Sequence, residues 1–373
     1  MESYFTSLCP EVTEWGSVSQ RQELPKNASQ IDADWLTDAL QATYPGVEVA
    51  TVALVQSSEA TNLHVVVKVS YRRSHGAPES MFCKLLPLDD RRSAIAATSM
   101  GPNELRFYRD LALHLPLRVP QFQAGMHDPS DDSFVLVLED LNALGCEVSN
   151  GIRGVTADEA AGALADLAAL HVRFENHERR NVEASWVQEL AVGSSYGSTM
   201  LQFGLENHRD RLSDDFAQIS MVYINQRERL HELWTTGPKT VVHGDPHIGN
   251  IFFDSGRIGF LDWGIINVNT PMRDVSYFLN MAMDIQERRN NQEELLQHYL
   301  NVRRSIGGAE ISFDDAWSAH RIHGAYCVVA SCQVVTFPPD ATQNRKIFAE
   351  AFLQRAEAAI EDLESLRAIE RAM

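Results

Sequence analysis

VVHGDPHIGNIFFDSGRIGFLDWG, Val241–Gly264, decides how the rest of this chain is read. It sets two acids and an amide, Asp245, Asn250 and Asp262, on turns flanking two short apolar strands. The strands are expected at Asn250–Asp254 and Arg257–Leu261, joined by Ser255-Gly256, a small-residue hairpin signal. A hairpin this short brings its ends together, so Asn250 and Asp262 should sit side by side with Asp245 one loop away.

Those groups suit phosphoryl transfer. An acid must orient and deprotonate the attacking hydroxyl, and oxygen ligands must hold magnesium against nucleotide phosphates. Magnesium keeps several waters and takes few protein groups, so one carboxylate and one amide suffice. His243-Gly-Asp245-x-x-x-x-Asn250 follows the H-x-D-x-x-x-x-N order of a protein-kinase catalytic loop, and Asp262-Trp263-Gly264 stands where D-F-G would stand. HGDPHIGN followed by LDW resembles the aminoglycoside phosphotransferase and choline kinase-like superfamily, near its ecdysteroid kinase-like branch. His243 and His247 as a metal pair at i, i+4 is the weaker reading, because Pro246 argues against a regular helix between them and no further His or Cys lies nearby.

Working outward, 373 residues suffice for two lobes with their own cores. The net charge of −19 argues against general affinity for nucleic acid or an anionic membrane. Residues 1–140 carry 11 basic and 19 acidic groups, net −8, and the remainder nets −11, so the acidity is spread. The five cysteines, Cys9, Cys83, Cys146, Cys327 and Cys332, form neither a disulfide framework nor a zinc pattern, and a reduced, cytoplasmic compartment is expected. No signal-peptide core appears at the N-terminus, and the longest apolar tract, Ala325–Phe337, falls short of a membrane span.

Residues 1–30 are polar and unperiodic and read as a loose arm. A short amphipathic helix from Asp34 precedes three Val-rich strands, Val47–Val55, His64–Tyr71 and Ser80–Leu86. The turn 56–62 stands where a kinase phosphate-covering loop would stand, but it holds no glycine, so an ordinary hairpin turn is an equal reading. Two lysines compete for the phosphates. Lys68 shares its face with His64 and Ser70, as a solvated lysine would, whereas Lys84 shares its face with Phe82 and Leu86. A lysine among apolar neighbours needs a partner, which favours Lys84. The resemblance implies that Glu104 holds it, on a helix opened by Gly101-Pro102 with an inward stripe of Leu105, Tyr108, Leu111 and Leu115; a solvated first-turn Glu is the alternative.

SFVLVLE, Ser133–Glu139, is continuously apolar, as a strand buried on both faces would be. The resemblance implies main-chain adenine contacts just beyond it, around Glu139 and Leu141. Thr156-x-x-Glu159 is a capping box opening a helix, and His171 on its apolar face is read as a satisfied core histidine. The segment at Asp274 resembles the family's R-D-x-x-x-F-L, where the acid buttresses the catalytic loop. Further helices are expected near 210–234, 285–305, 313–335 and 342–371, the third being either core or one wall of an acceptor pocket.

The resulting expectation is an α+β, protein kinase-like bilobal fold, with a β-rich N-lobe over 31–140 and a helical C-lobe over 141–373. Its implied activity is transfer of the γ-phosphoryl of ATP, with Mg2+, to a hydroxyl of a small, partly apolar metabolite or antibiotic. Asp245 would be the base, Asn250 and Asp262 the metal ligands, and Lys84, Glu104, Glu139 and Leu141 the nucleotide site. Aminoglycoside, choline-like and hydroxyacyl-CoA acceptors remain open, as does a non-catalytic nucleotide-binding protein. The sequence leaves the oligomeric state unknown.

Overall fold

The computed structural model describes residues 23–59, 61–190, 195–329 and 342–373. Helix α1 (Ala33–Leu40), capped by the Asp32 side chain on the Trp35 N–H, lays Trp35, Leu36 and Leu40 against a five-stranded antiparallel sheet. Its strands are β1 (Glu48–Glu59), β2 (Leu63–Arg73), β3 (Ser80–Leu85), β4 (Phe122–Asp128) and β5 (Ser133–Glu139), in the order β1-β2-β3-β5-β4. Alternation dictates the outcome: Val65, Val67 and Val69 point into one core with Val49, Met81, Cys83 and Val137. The opposite face, through Leu136 and Leu138, joins the core of the helical lobe. β5 is buried on six of its seven residues, as its unbroken apolarity requires.

Three expectations for this half are corrected. The last part of the proposed arm is not loose: residues 28–30 form a helical turn capped by Asn27, and Leu24 and Ala28 pack on the sheet core. The proposed 56–62 turn is mostly strand, since Gln56–Glu59 pair with Val66–Leu63. The edge position of β1, exposed along its outer half, explains why polar residues are at home there. Helix α3 (Met100–Arg106) begins before Pro102, after a left-handed Ser99. Gly101 sits where an added Cβ would lie 2.1 Å from the Phe134 ring, so the glycine serves close packing.

The helical half is built on α4 (Ala157–Glu175), whose capping box is complete: Thr156 and Glu159 answer each other's backbone N–H groups. Around it lie α7 (Asp214–Trp234), α8 (Met272–Ala282), α9 (Ile285–Ser305), α10 (Phe313–Gly324) and the helices Gln343–Asp362 and Ser365–Ala372. α7 starts at a Ser213 cap, later than the expected 210, and kinks at Gln226. The expected 313–335 helix stops at Gly324, whose missing side chain lets Ser365 approach; its stretch beyond 329 lies outside the described residues. Among the described residues no helix is long and apolar enough to cross a membrane.

Between the halves, β8 (Ile251–Asp254) and β9 (Arg257–Phe260) form the expected hairpin, with Ser255 and Gly256 both left-handed as a two-residue turn demands. Its mouth is closed by a bond from the Leu261 N–H to the Asn250 carbonyl, 2.8 Å. That bond sets the backbones of Asn250 and Asp262 next to each other.

Candidate active site

The residues around this hairpin mouth fall into two clusters. In the first, Lys84 projects from β3 with only 7% of its side chain exposed, and its Nζ donates to Glu104 Oε2 at 2.6 Å and to Asp262 Oδ1 at 3.0 Å. Burying an ammonium without partners costs several kcal/mol, and two carboxylates offset that here. Burial works against the Lys84 charge, but Asp262 and Glu104 outweigh it and hold the amine above its ordinary range. Burial likewise pushes the Glu104 carboxyl up, to about 7, with Lys84 pulling the other way. Lys68 is exposed.

Asp262 lies at φ 57°, ψ 66°, a left-handed conformation unusual for a non-glycine residue. The turn is held by Trp263, which stacks on Phe107 with ring centroids 3.7 Å apart. One stack thereby ties the Asp262 turn to the segment that follows α3, the helix carrying Glu104. Asp262 keeps 43% of its side chain exposed. Burial opposes its ionisation, yet the adjacent Lys84 leaves it below the usual carboxylate range.

The second cluster holds the loop 243–250. Asp274, fully buried on α8, accepts the His243 N–H at 2.7 Å and the Gly244 N–H at 2.8 Å. It also takes His171 Nε2 at 3.2 Å, and Tyr299 Oη lies 2.8 Å from His171 Nδ1. His171 is thus the satisfied core histidine expected, and Asp274 is the buttress. His243 is buried; its Nδ1 accepts the Asp245 N–H at 3.2 Å, so its Nε2 carries the proton and donates to the Leu261 carbonyl at 2.8 Å.

With its backbone fixed, Asp245 presents a carboxylate that is 30% exposed, 3.4 Å from His247 Nε2. His247 Nδ1 accepts from Gly249, which aims the other ring nitrogen at Asp245. Burial raises the Asp245 pKa, but His247 and His243 outweigh it, so the group stays below the usual carboxylate range even with Asp262 close enough to oppose them. Asn250 donates Nδ2 to the Asp245 carbonyl at 3.0 Å and to Asp245 Oδ2 at 3.1 Å. Its Oδ1 takes no hydrogen bond from the described residues. Among those residues no group of three or more His, Cys, Asp and Glu gathers as a metal cluster, so the His243–His247 pair has no third ligand.

Glu139 and Leu141 lie at the end of β5 and just beyond it, beside β3, the strand that carries Lys84. The Glu139 side chain is turned into an ion pair with Arg118 at 2.9 Å and its N–H is given to the Gln121 carbonyl at 2.9 Å, so only its carbonyl is left for a ligand. Leu141 has a backbone N–H with no partner among the described residues, while its carbonyl is taken by Leu144 and Cys146. Asp140 shapes this turn by accepting from Ser80 and from the Asn142 N–H.

Two residues of the cleft escaped the sequence. His64 is the cross-strand partner of Lys84 and half-buried; burial and the Lys84 charge lower its pKa to about 4. Arg273, next to Asp274, is buried against the Gly244 carbonyl. Register would have revealed the first; the second is the arginine of the R-D-x-x-x-F-L segment, a motif that by itself gives it no part in the site.

A profile of the phosphotransferase enzyme family matches residues 69–309. A search of curated proteins gave no match. Among solved structures, a protein of Ralstonia eutropha JMP134 provisionally assigned as an aminoglycoside phosphotransferase is 12% identical, with 89% of this chain and 98% of that one covered at a TM-score of 0.54. The choline kinase LicA of Streptococcus pneumoniae is 14% identical over 89% and 98%, TM-score 0.47. At such identities the first likeness is one of fold, and it agrees with the sheet lobe and helical lobe described above.

Proposed function

Since the chain belongs to the phosphotransferase enzyme family, we propose that it is a small-molecule kinase moving the γ-phosphoryl group of ATP to an alcohol. The observation that carries this is Asp245: an ionised carboxylate, open to the cleft, on a loop that the buried Asp274 fixes by two backbone bonds. A charged acid kept accessible at a fixed point suits a base that orients an acceptor hydroxyl and takes its proton as oxygen attacks phosphorus and ADP leaves.

The remaining groups divide the phosphates among them. Lys84, held by Glu104, meets the phosphates, and the N–H of Leu141 with the carbonyl of Glu139 receives the adenine. Magnesium suits the donors present: the unengaged Asn250 Oδ1 and the half-open Asp262 carboxylate are hard oxygen ligands, and few are needed. When bound there it would neutralise phosphate charge. The acceptor is read as a small, partly apolar alcohol.

Asp245→Asn tests the assignment. The substitution keeps the shape and removes the base, and general-base loss typically costs about 10²–10⁴ in rate. Expected are a fall of that size in magnesium-dependent ATP consumption with pooled hydroxylated metabolites, and nucleotide affinity close to wild type. Turnover like wild type in the variant overturns the role of Asp245. Nucleotide binding without any turnover in the wild-type chain would favour the non-catalytic alternative.

A further inference from the structure

Four arginines of the helical lobe are buried to 4% exposure or less: Arg273, Arg288, Arg303 and Arg355. Three of them are answered. Arg288 pairs with Asp362 and Gln292, Arg303 pairs with Glu175 and touches the Tyr299 hydroxyl, and Arg355 donates to the carbonyls of Met283, Gly151 and Ile152. Arg273 is not. Among the described residues its one hydrogen bond is a long one, Nη2 to the Gly244 carbonyl at 3.3 Å, and its Nε, like that of Arg303, is buried without an acceptor. No carboxylate among the described residues pairs with it. Its guanidinium lies over the Tyr326 ring, 3.1 Å from the centroid, which holds the cation without neutralising it.

Position gives this orphan charge meaning. Gly244 immediately precedes Asp245, and Tyr277, under the same guanidinium, packs edge-on against His247, the neighbour of the Asp245 carboxylate. The cation therefore stands one residue from the base along the loop backbone and one ring from its His247 neighbour. Ser276 and Asn280 continue the same stripe of α8, three and seven residues on, and the Ser276 hydroxyl and both polar atoms of the Asn280 amide are likewise buried without partners among the described residues. A buried charge with neither a counter-charge nor a full set of acceptors is strongly unfavourable, and an anion would supply both.

We propose that Arg273 is a specificity-determining residue that receives an oxyanion, a carboxylate or a phosphate, carried by the acceptor alcohol. The proposal rests on the kinase reading of Asp245 and sharpens it: the acceptor is an acidic alcohol, and the buried cation disfavours polycationic ones. Tyr326, partly exposed beside the guanidinium, supplies apolar surface for its body.

The test offers the full chain matched pairs of alcohols: 3-hydroxybutyrate and 3-hydroxydecanoate against their methyl esters for the carboxylate arm, and glycerol 3-phosphate against glycerol for the phosphate arm. Thermal stabilisation is read first, with magnesium and a non-hydrolysable ATP analogue, and phosphoryl transfer second. At least one anion is expected to stabilise the wild type where its neutral partner does not. Arg273→Gln should weaken that binding roughly 10–100-fold, the loss expected for a hydrogen bond to a charged group, and leave the neutral partner unaffected. Asp245→Asn should keep the anion-dependent stabilisation and lose transfer, which separates failure of the kinase reading from failure of this one. The proposal is overturned if no anion of either class outperforms its neutral partner, or if the preference survives in Arg273→Gln. Arg273→Met gives a ligand-free readout: removing an unpaired buried cation should leave the melting temperature level or raise it, whereas Arg303→Met breaks a made pair and should lower it. A fall in Arg273→Met as large as in Arg303→Met would make Arg273 structural and sink the idea.

Discussion

The two buried networks flanking the hairpin mouth are built on opposite principles. Around Lys84 the bonds run between side chains of three separate segments, and one partner, Asp262, remains open to the cleft. Around Asp274 the bonds run to backbone N–H groups, and a further chain from His171 through Tyr299 and Arg303 to Glu175 is closed within the protein. The first network can exchange partners when phosphates arrive. The second has no bond to give up, and its product is a loop that stays where it is. The difference teaches which half of the site waits for a ligand and which is finished on folding.

Breaking the finished half should cost most. Asp274→Ala leaves two backbone N–H groups and His171 buried without the charge that answers them, and the loss expected for opening a buried charged network is about 3–5 kcal/mol. Urea unfolding of the variant would show this, and a shift under 1 kcal/mol would reduce the buttress to a surface-like contact. Lys84→Met should behave differently, because Glu104 can answer by taking a proton. Its folded pKa, already raised to about 7 from 4.5 with Lys84 present, rises further without it. The folded state then keeps a proton that the unfolded chain releases above 4.5, so the variant loses stability as pH rises, by about 1.4 kcal/mol per pH unit. Near pH 5 the variant should be close to wild type, and equal losses at pH 5 and pH 8 would contradict the exchange.

Smaller effects sharpen the contrast. Asp262→Ala and Asn250→Ala should each raise the magnesium concentration for half-maximal rate, Asp262→Ala more, because a carboxylate is the stronger ligand for a hard cation; unchanged titrations of both would remove the metal from this mouth. Tyr299→Phe deletes the outermost member of the Asp274 chain that contacts His171. A cost of about 1 kcal/mol with little change in rate is expected from thermal melts and kinetics, and a loss matching Asp274→Ala would mean that the chain acts as one unit.

What could be read in advance follows the same division. The hairpin was legible because Ser255-Gly256 fixes it locally, and Lys84 because a lysine between Phe82 and Leu86 must find a partner wherever the chain runs. Glu104 was legible through resemblance. The polar run Gln56–Glu59 looked like a turn because an edge strand facing solvent and a loop select the same residues; only pairing with Leu63–Val66 distinguishes them. His171 could be read as satisfied but not by what, since Asp274 and Tyr299 lie more than 100 residues further on. Arg273 was visible as the arginine of R-D-x-x-x-F-L, but not as a member of the site. Its distinction, the lack of a carboxylate partner among the described residues, exists only once its neighbours in space have been placed.

The edge strand β1 has a consequence for how the molecules behave in company. Among the described residues β1 has no strand on its outer side; such an edge presents unpaired backbone groups to which another chain can add, and here it also displays Leu54 and Val55, each more than half exposed. Yet its register against β2 is broken three times along twelve residues. Such irregularities bend the strand and increase its twist, so no long straight row of donors and acceptors faces outward. A second molecule meeting this edge finds short, misaligned stretches in place of a template, and two apolar side chains can stand in water without seeding intermolecular sheet.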